Sequence, residues 1–249
     1  PGCGCAILSA PAKLSRPFLQ SLRNCIEKVM TNMTGSNAPF SVVALDGGAA
    51  SGKSSTARLL AQRRGLCHVD TGSHYRGLTL ALARAGVATE SGPALRKFLA
   101  RLRLASSMEG NQSRLQINGE VPSPEKLRAP EVNASVSAYA ALPEVREALK
   151  TFQRQEVGRA RCAGFRGIVM EGRDIGTVIL PGAGLKIFLT ADPEKRRLRR
   201  EEEGGADRIE DRDRADSGRR SAPLRPAGDA IVIDNSSIGL EAVVQRIES

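Results

Sequence analysis

The stretch Val42-Val43-Ala44-Leu45-Asp46-Gly47-Gly48-Ala49-Ala50-Ser51-Gly52-Lys53-Ser54-Ser55 decides the fold. Its first four residues form an apolar run and read as a buried strand. From Gly47 to Ser54 it satisfies G-x-x-x-x-G-K-[ST] at every fixed position. From Ser55 to Arg64, Ala57, Leu60 and Ala61 fall along one side, as in a helix. Strand, glycine-rich loop and helix is the setting in which backbone N–H groups line up on a phosphate chain. The helix adds the positive end of its dipole. Gly47, Gly48, Ala49, Ala50, Ser51, Gly52 and Ser55 thus join Lys53 and Ser54 in a candidate cradle for a triphosphate. Lys53 reaches the outer phosphates, and the Ser54 hydroxyl takes a place on Mg²⁺, with waters completing the shell. The loop specifies a nucleoside triphosphate and leaves its use open.

Composition narrows that use. The chain of 249 residues suits one large domain with insertions or two small ones. Hydrophobic residues make up 41%, enough for a packed core, and no apolar run approaches the ~18 residues of a spanning helix. Aromatic residues are only 3%, which argues against a surface that stacks nucleic-acid bases. The 37 basic residues exceed the 27 acidic ones, and much of the excess is Arg, whose planar fork grips phosphate. Five cysteines without a framework of spacings suggest reduced thiols in a cytosolic protein. Cys3-x-Cys5 has no distal pair and makes a poor zinc site. His68 and His74 are too few for a histidine metal centre or triad.

Residues 1–38 stand apart. Phe18, Leu22, Ile26 and Val29 recur at helical spacing among basic residues, as in a targeting segment. The preferred alternative is upstream sequence ahead of a true start at Met33. The core then begins at Phe40. A strand at Leu66–Val69 closes on Asp70-Thr71-Gly72, and a helix follows from Tyr75 to about Ala85. A helical stripe spans Pro93–Leu104. Arg114–Ile117 alternates and meets Asn118-Gly119, the turn of a small hairpin set apart from the parallel sheet. Pro130 and Pro143 open two helices. Further strands are expected at Gly167–Met170, Leu185–Leu189 and Ala230–Ile233. Asp192-Pro193 caps an Arg-rich helix, and a last helix starts near Ile238.

The sum is an α/β fold: a five-stranded parallel sheet with helices on both faces, an inserted α/β subdomain and a short Arg-rich lid. One domain covers 39–249. Its core is 39–70, 161–193 and 222–249, the insertion is 71–160 and the lid is 194–221. The lid contains a charged run, 206–221, that has no core of its own. It is a solvated helix, a mobile flap or a segment ordered by an anion. No Asn-Lys-x-Asp guanine reader is present. A kinase that joins two polyanions needs guanidiniums between them and water kept out, and the insertion and lid meet both needs.

Four stretches make the resemblance specific. They are Asp46–Ser55, Asp70-Thr71-Gly72-Ser73-His74-Tyr75-Arg76, Glu171-Gly172-Arg173-Asp174-Ile175-Gly176-Thr177 and Arg212-Asp213-Arg214-Ala215-Asp216-Ser217-Gly218-Arg219. With Asn133–Ser137 and Pro143–Arg146, they fall in the order found in bacterial-type cytidylate kinases, members of the P-loop nucleoside monophosphate kinase superfamily, which the chain resembles. The resemblance implies transfer of the γ-phosphate of ATP to CMP or dCMP, with Mg²⁺. It implies that Arg76, Arg173, Arg212 and Arg219 hold phosphates, with Lys53, Arg173, Arg212 and Arg219 serving catalysis. Ser137, Arg146 and Asp174 would read the cytosine edge, and Asp216 would hold the ribose. Thr71 and Tyr75 line the acceptor mouth, and Arg199 meets the ATP side. Expected partners are small nucleotides, with no nucleic acid and no membrane, and the expected state is a cytoplasmic monomer.

Three departures from the family pattern stand out. Gly48 replaces a usual Pro, and Ser73-His74 replaces small and apolar residues. The stretch from Arg200 to Arg212 is about ten residues short, so the lid is expected to be a bare turn rather than a helix pair. Competing readings are a kinase for UMP, AMP or a metabolite alcohol, a nucleic-acid-binding NTPase, and an inactive relic.

Overall fold

The computed structural model describes residues 39–202, 209–219 and 222–249, with backbone alone for 209–212. The readings of 1–38 and of the Arg212 side chain lie outside the described residues. In chain order the elements are β1 (Ser41–Gly47), α1 (Lys53–Arg64), β2 (Leu66–Asp70), α2 (Thr71–Arg84), α3 (Pro93–Arg101), β3 (Leu104–Glu109) and β4 (Gln112–Ile117). Then come α4 (Pro124–Leu127), α5 (Pro130–Ala141), α6 (Pro143–Cys162), β5 (Gly167–Gly172) and a π-helical segment (Ile175–Ile179). The chain ends with β6 (Leu185–Thr190), α7 (Pro193–Glu202), α8 (Ile209–Ser217), β7 (Ile231–Asp234) and α9 (Leu240–Glu248).

The sheet has seven strands, not five, in the order β3-β4-β2-β5-β1-β6-β7. The five apolar runs pair parallel as expected. Of the two extra strands, β4 contains the expected arm Arg114–Ile117, whereas β3 was not expected and takes the place of the expected arm at Glu120-Val121. β4 pairs parallel with β2 at His68↔Gln112 and Val69↔Ser113, and β3 runs antiparallel to β4. The hairpin also turns elsewhere, at Gly110-Asn111. Asn118 and Gly119 do turn, with φ of 50° and 96°, but they close only one bridge, Ile117 to Glu120. The cause is β3 itself. It is polar and half-exposed, so no alternation of apolar residues marks it. Its place is set by α6. Glu156 of α6, fully buried, accepts from Ser113 Oγ at 2.5 Å, from Ser106 of β3, and from Arg159 at 2.6 Å. A buried carboxylate holds its place when its oxygens are filled in this way.

Alternation along the central strands builds two cores. Val43, Leu45, Val169, Ile187 and Leu189 pack against Ala57, Leu60 and Ala61 of α1 and Val243 and Val244 of α9. Ala44, Cys67, Val69, Ile168 and Met170 pack on the opposite side with Ala160 of α6 and Ile175 and Ile179. Successive side chains of one strand thereby face both helical layers. The insertion has its own cluster, with Leu78, Leu82, Leu95, Tyr139, Val145 and Leu149.

Two helix boundaries differ from the sequence reading, and a local cap explains the first. α2 starts at Thr71, before the expected Tyr75, because the Asp70 carboxylate caps it and accepts from Ser73 N–H at 3.2 Å. α3 ends at Arg101, short of Leu104. The lid is not a bare turn: α7 and α8 form a helix pair despite the missing residues. α7 buries no side chain, and Arg197 pairs with Glu194 and Glu201 at helical spacing, which supports a solvated helix. Asp192 caps it, accepting from Glu194 N–H at 2.9 Å. Cys67 is a buried free thiol. Among the described residues no helix is long and apolar enough to cross a membrane.

Candidate active site

The glycine-rich loop joins the end of β1 to the start of α1. Gly47 takes φ of 152°, and a Cβ on it would lie 2.2 Å from the Leu189 carbonyl oxygen of β6. Both the conformation and the space require glycine. Gly47→Ala is therefore expected to lower stability by about 2–4 kcal/mol and to abolish nucleotide binding, as read by urea unfolding and calorimetry. Ala50 and Gly52 also take positive φ, of 53° and 84°, and turn the loop's amides inward. Asn235, just after β7, donates to Ser51 O at 2.8 Å and fixes the far side of the loop.

Lys53 opens α1, and its ammonium turns back to donate to Gly48 O at 2.6 Å, with Ser51 Oγ at 3.4 Å. Enclosure by protein pulls its pKa down to about 7, and the Arg173 charge adds to the effect. Ser54 donates to Glu171 Oε2 at 2.7 Å, and Glu171 Oε1 meets His68 Nε2 at 2.8 Å. Ser55 lies exposed one position further along α1. The Ser54 hydroxyl and the Glu171 carboxylate are hard oxygen donors at one point of the cleft. That donor set suits Mg²⁺, which takes one or two protein oxygens and leaves the rest to water and phosphate.

The C-terminal ends of β2 and β5 carry the other half. Thr71 donates to Glu171 O at 2.7 Å, tying α2 to β5. Asp46, at the end of β1, accepts from Ile175 N–H and Gly176 N–H, both at 2.8 Å. Burial raises the Asp46 pKa to about 6. These bonds aim Arg173 and Asp174 into the cleft. Asp174 pairs with Arg146 of α6, and both are buried. Burial raises the Asp174 pKa, against the pull of Arg146. The Arg146 guanidinium lies 5.8 Å from the centre of the Tyr75 ring. Burial pushes the Tyr75 hydroxyl up to about 12. Arg76 is held by Leu127 O at 3.1 Å and Asn133 Oδ1 at 2.5 Å. His74 is fully buried, edge-on to Phe152 at 5.3 Å, and burial lowers its pKa to about 4, so it stays neutral.

The lid meets both halves. Arg173 donates to Gly47 O at 2.8 Å, to Asp213 at 3.2 Å and to Asp216 at 3.0 Å. Asp216 also pairs with Arg219. Arg196 pairs with Asp213 and donates to Ala49 O at 3.2 Å.

One cleft of about 460 Å³ runs between these groups. It is lined by Ala49, Ala50, Lys53 and Ser54 on one side, and by Thr71, Tyr75, Arg76 and Ser137 on another. Arg173, Asp174, Asp216 and Arg219 close it. Arg146 stands behind Asp174. Arg199 does not line the cleft. It donates to Asn235 Oδ1 and Asn235 O, both at 3.0 Å, and its neighbour Arg200 takes the lining position. A helix turn separates directions by ~100° per residue, so adjacent arginines cannot share a face.

The site includes residues that no sequence pattern assigns to it. The sequence gives Glu171 no role of its own within Glu171–Thr177. Asp213 and Arg196 carried no role, although Asp213 lies in the Arg212–Arg219 motif. Asn235 could have been suspected from its place just after β7, beside the loop's edge of the sheet.

The sequence profile of the cytidylate kinase family matches residues 43–249. A cytidylate kinase of Pelotomaculum thermopropionicum is 43% identical over 84% of this chain and 94% of its own. One from an Exiguobacterium species is 41% identical, over 83% and 94%. One from Streptomyces avermitilis is 38% identical, over 88% and 95%. With a phosphate loop and a second, arginine-rich wall on one cleft, the chain belongs to the cytidylate kinase family.

Proposed function

We propose that this protein transfers the γ-phosphate of ATP to CMP and dCMP in a direct in-line displacement. The observation that carries the reading is the single cleft that joins Lys53 to Arg173, Asp174 and Arg219. ATP would lie along Gly47–Ser55, its outer phosphates against Lys53. The acceptor would lie between α2, α5 and the end of β5. Asp174 and Arg146, with Ser137 beside them, would take the cytosine edge, Asp174 accepting from the exocyclic amine. Asp216 would hold the ribose. Arg76, Arg173 and Arg219 would surround the acceptor and transferring phosphates, and Arg212 would join them. An acceptor phosphate oxygen is already anionic, so no general base is needed. Catalysis then rests on alignment and on guanidiniums facing the charge that spreads over the migrating group.

Ser54 and Glu171 would hold Mg²⁺, which neutralises charge between the β- and γ-phosphates when bound. This chain's residues do the remaining work. Glu171 orients the Ser54 hydroxyl, with His68 fixing the other carboxylate oxygen. The lid helices cover the loop and keep water from the transferring group.

The test is a coupled assay with ATP-Mg²⁺ and CMP, dCMP, UMP and AMP. CMP and dCMP are expected to exceed UMP and AMP by about 10²-fold in kcat/KM. Preference for UMP or AMP would overturn the cytosine reading, and turnover independent of any acceptor would overturn the kinase.

A further inference from the structure

The phosphate cradle holds a carboxylate of the chain itself. Asp213 of α8 accepts from Ala49 N–H at 2.9 Å and from Arg173 Nη1 at 3.2 Å. Its other oxygen accepts from Arg196. One loop amide and two guanidiniums are the donors that a phosphate oxygen takes in such a loop. Arg196 also donates to Ala49 O at 3.2 Å, so α7 and α8 are both fastened to the loop at one residue.

The contact depends on Gly48. A Cβ there would lie 2.7 Å from Asp213 Oδ2 and 2.9 Å from Arg196 Nη1. Gly48 is not among the residues with positive φ. Its backbone therefore does not call for glycine, and the approach of the two side chains does. Both intruding atoms are the ends of flexible side chains. A residue with a Cβ would displace them rather than break the loop.

We infer that Asp213 is a built-in competitor for the donor's phosphates. While no nucleotide is bound, it occupies the Ala49 amide and holds α8 against the loop. ATP displaces it and takes over Arg173 and Arg196 at that point. Apparent donor affinity is then the intrinsic affinity reduced by the fraction of molecules with the carboxylate withdrawn. The inference rests on the reading that Gly47–Ser54 binds the donor's phosphates.

Calorimetric binding of ADP without Mg²⁺ tests it, using the parent protein and the Asp213→Asn, Gly48→Ala and Lys53→Ala variants. Asp213→Asn weakens the competitor's charge. Gly48→Ala keeps that charge and blocks its approach. Both are expected to bind ADP about tenfold more tightly than the parent. In the free parent the Ala49 amide resonance is expected downfield of its position in Asp213→Asn, which reads the contact even where Gly48→Ala does not fold. Tightening in Asp213→Asn with an unmoved Ala49 amide would reduce the effect to plain charge repulsion and overturn the proposal. Parent-like affinity in both variants would overturn it too, while weakened ADP binding by Lys53→Ala would leave the donor-site reading standing. No ADP binding by the parent would sink both.

Discussion

Lys53→Met is expected to lower phosphoryl transfer at least about 10³-fold while making the protein more stable. The ammonium is the one full charge that the loop itself aims at the outer phosphates. In the free protein it is half-buried and, among the described residues, bonded to Gly48 O and weakly to Ser51 Oγ. Its pKa falls from 10.5 to about 7. Between those values the unfolded chain holds a proton that the folded one releases, so stability from this group rises with pH across that window. Below about pH 7 the enclosed charge is carried in full. Methionine keeps the length of the side chain and removes that burden, for a gain of about 1 kcal/mol at pH 6, read as a higher thermal midpoint. The gain should vanish above the ordinary lysine pKa. Bound phosphates would restore the ammonium, so ATP binding at pH 8 is expected to take up about one proton. Calorimetry in buffers of different ionisation enthalpy measures it. A midpoint lower than the parent's at pH 6, or no uptake, would contradict this account of Lys53.

Asp174→Ala is the second large effect. It leaves the Arg146 guanidinium with 9% of its side chain exposed and its main counter-charge gone. Breaking a buried pair from one side costs about 3–5 kcal/mol, and denaturant unfolding should show a loss of that size. Asp174→Asn is expected to be milder for stability and more telling for function. Its amide oxygen can still accept from Arg146, while its N–H₂ can donate to a uracil carbonyl. The CMP to UMP ratio of kcat/KM should fall about 10²-fold or more. An unchanged ratio would move base recognition away from Asp174. Burial also raises the Asp174 pKa, so acidification should protonate it and weaken CMP binding earlier than an ordinary aspartate would allow.

The fold was legible where burial is dense. Val43 to Leu45, Ile168 to Met170 and Ile187 to Leu189 are apolar because two helical layers cover them, and such runs announce a parallel strand without help from context. Pro130 and Pro143 mark helix starts for a local reason, since proline's fixed φ suits the first turn. The hairpin was misplaced because Ser106 and Ser113 reach their partner, Glu156, 50 and 43 residues away. No local periodicity encodes a bond of that span. The strand end at Asp70 agrees with the sequence reading, but the start of α2 at Thr71 rather than Tyr75 does not show locally, because a cap and a turn use the same residue types and only the bond from Ser73 N–H to Asp70 tells them apart.

By itself the sequence determined the phosphate loop and the five core strands, because each rests on the pattern of a single short segment, and the family, because several such segments follow one another in a fixed order. Only the tertiary structure decided which charges meet. It placed the Asp213 carboxylate on Ala49 N–H from 164 residues away, put Arg200 rather than Arg199 on the cleft, and seated Asn235 under Ser51. The physical reason is range. Backbone conformation follows from neighbours along the chain, whereas an ion pair forms between whatever groups the packed sheet brings within a few ångströms.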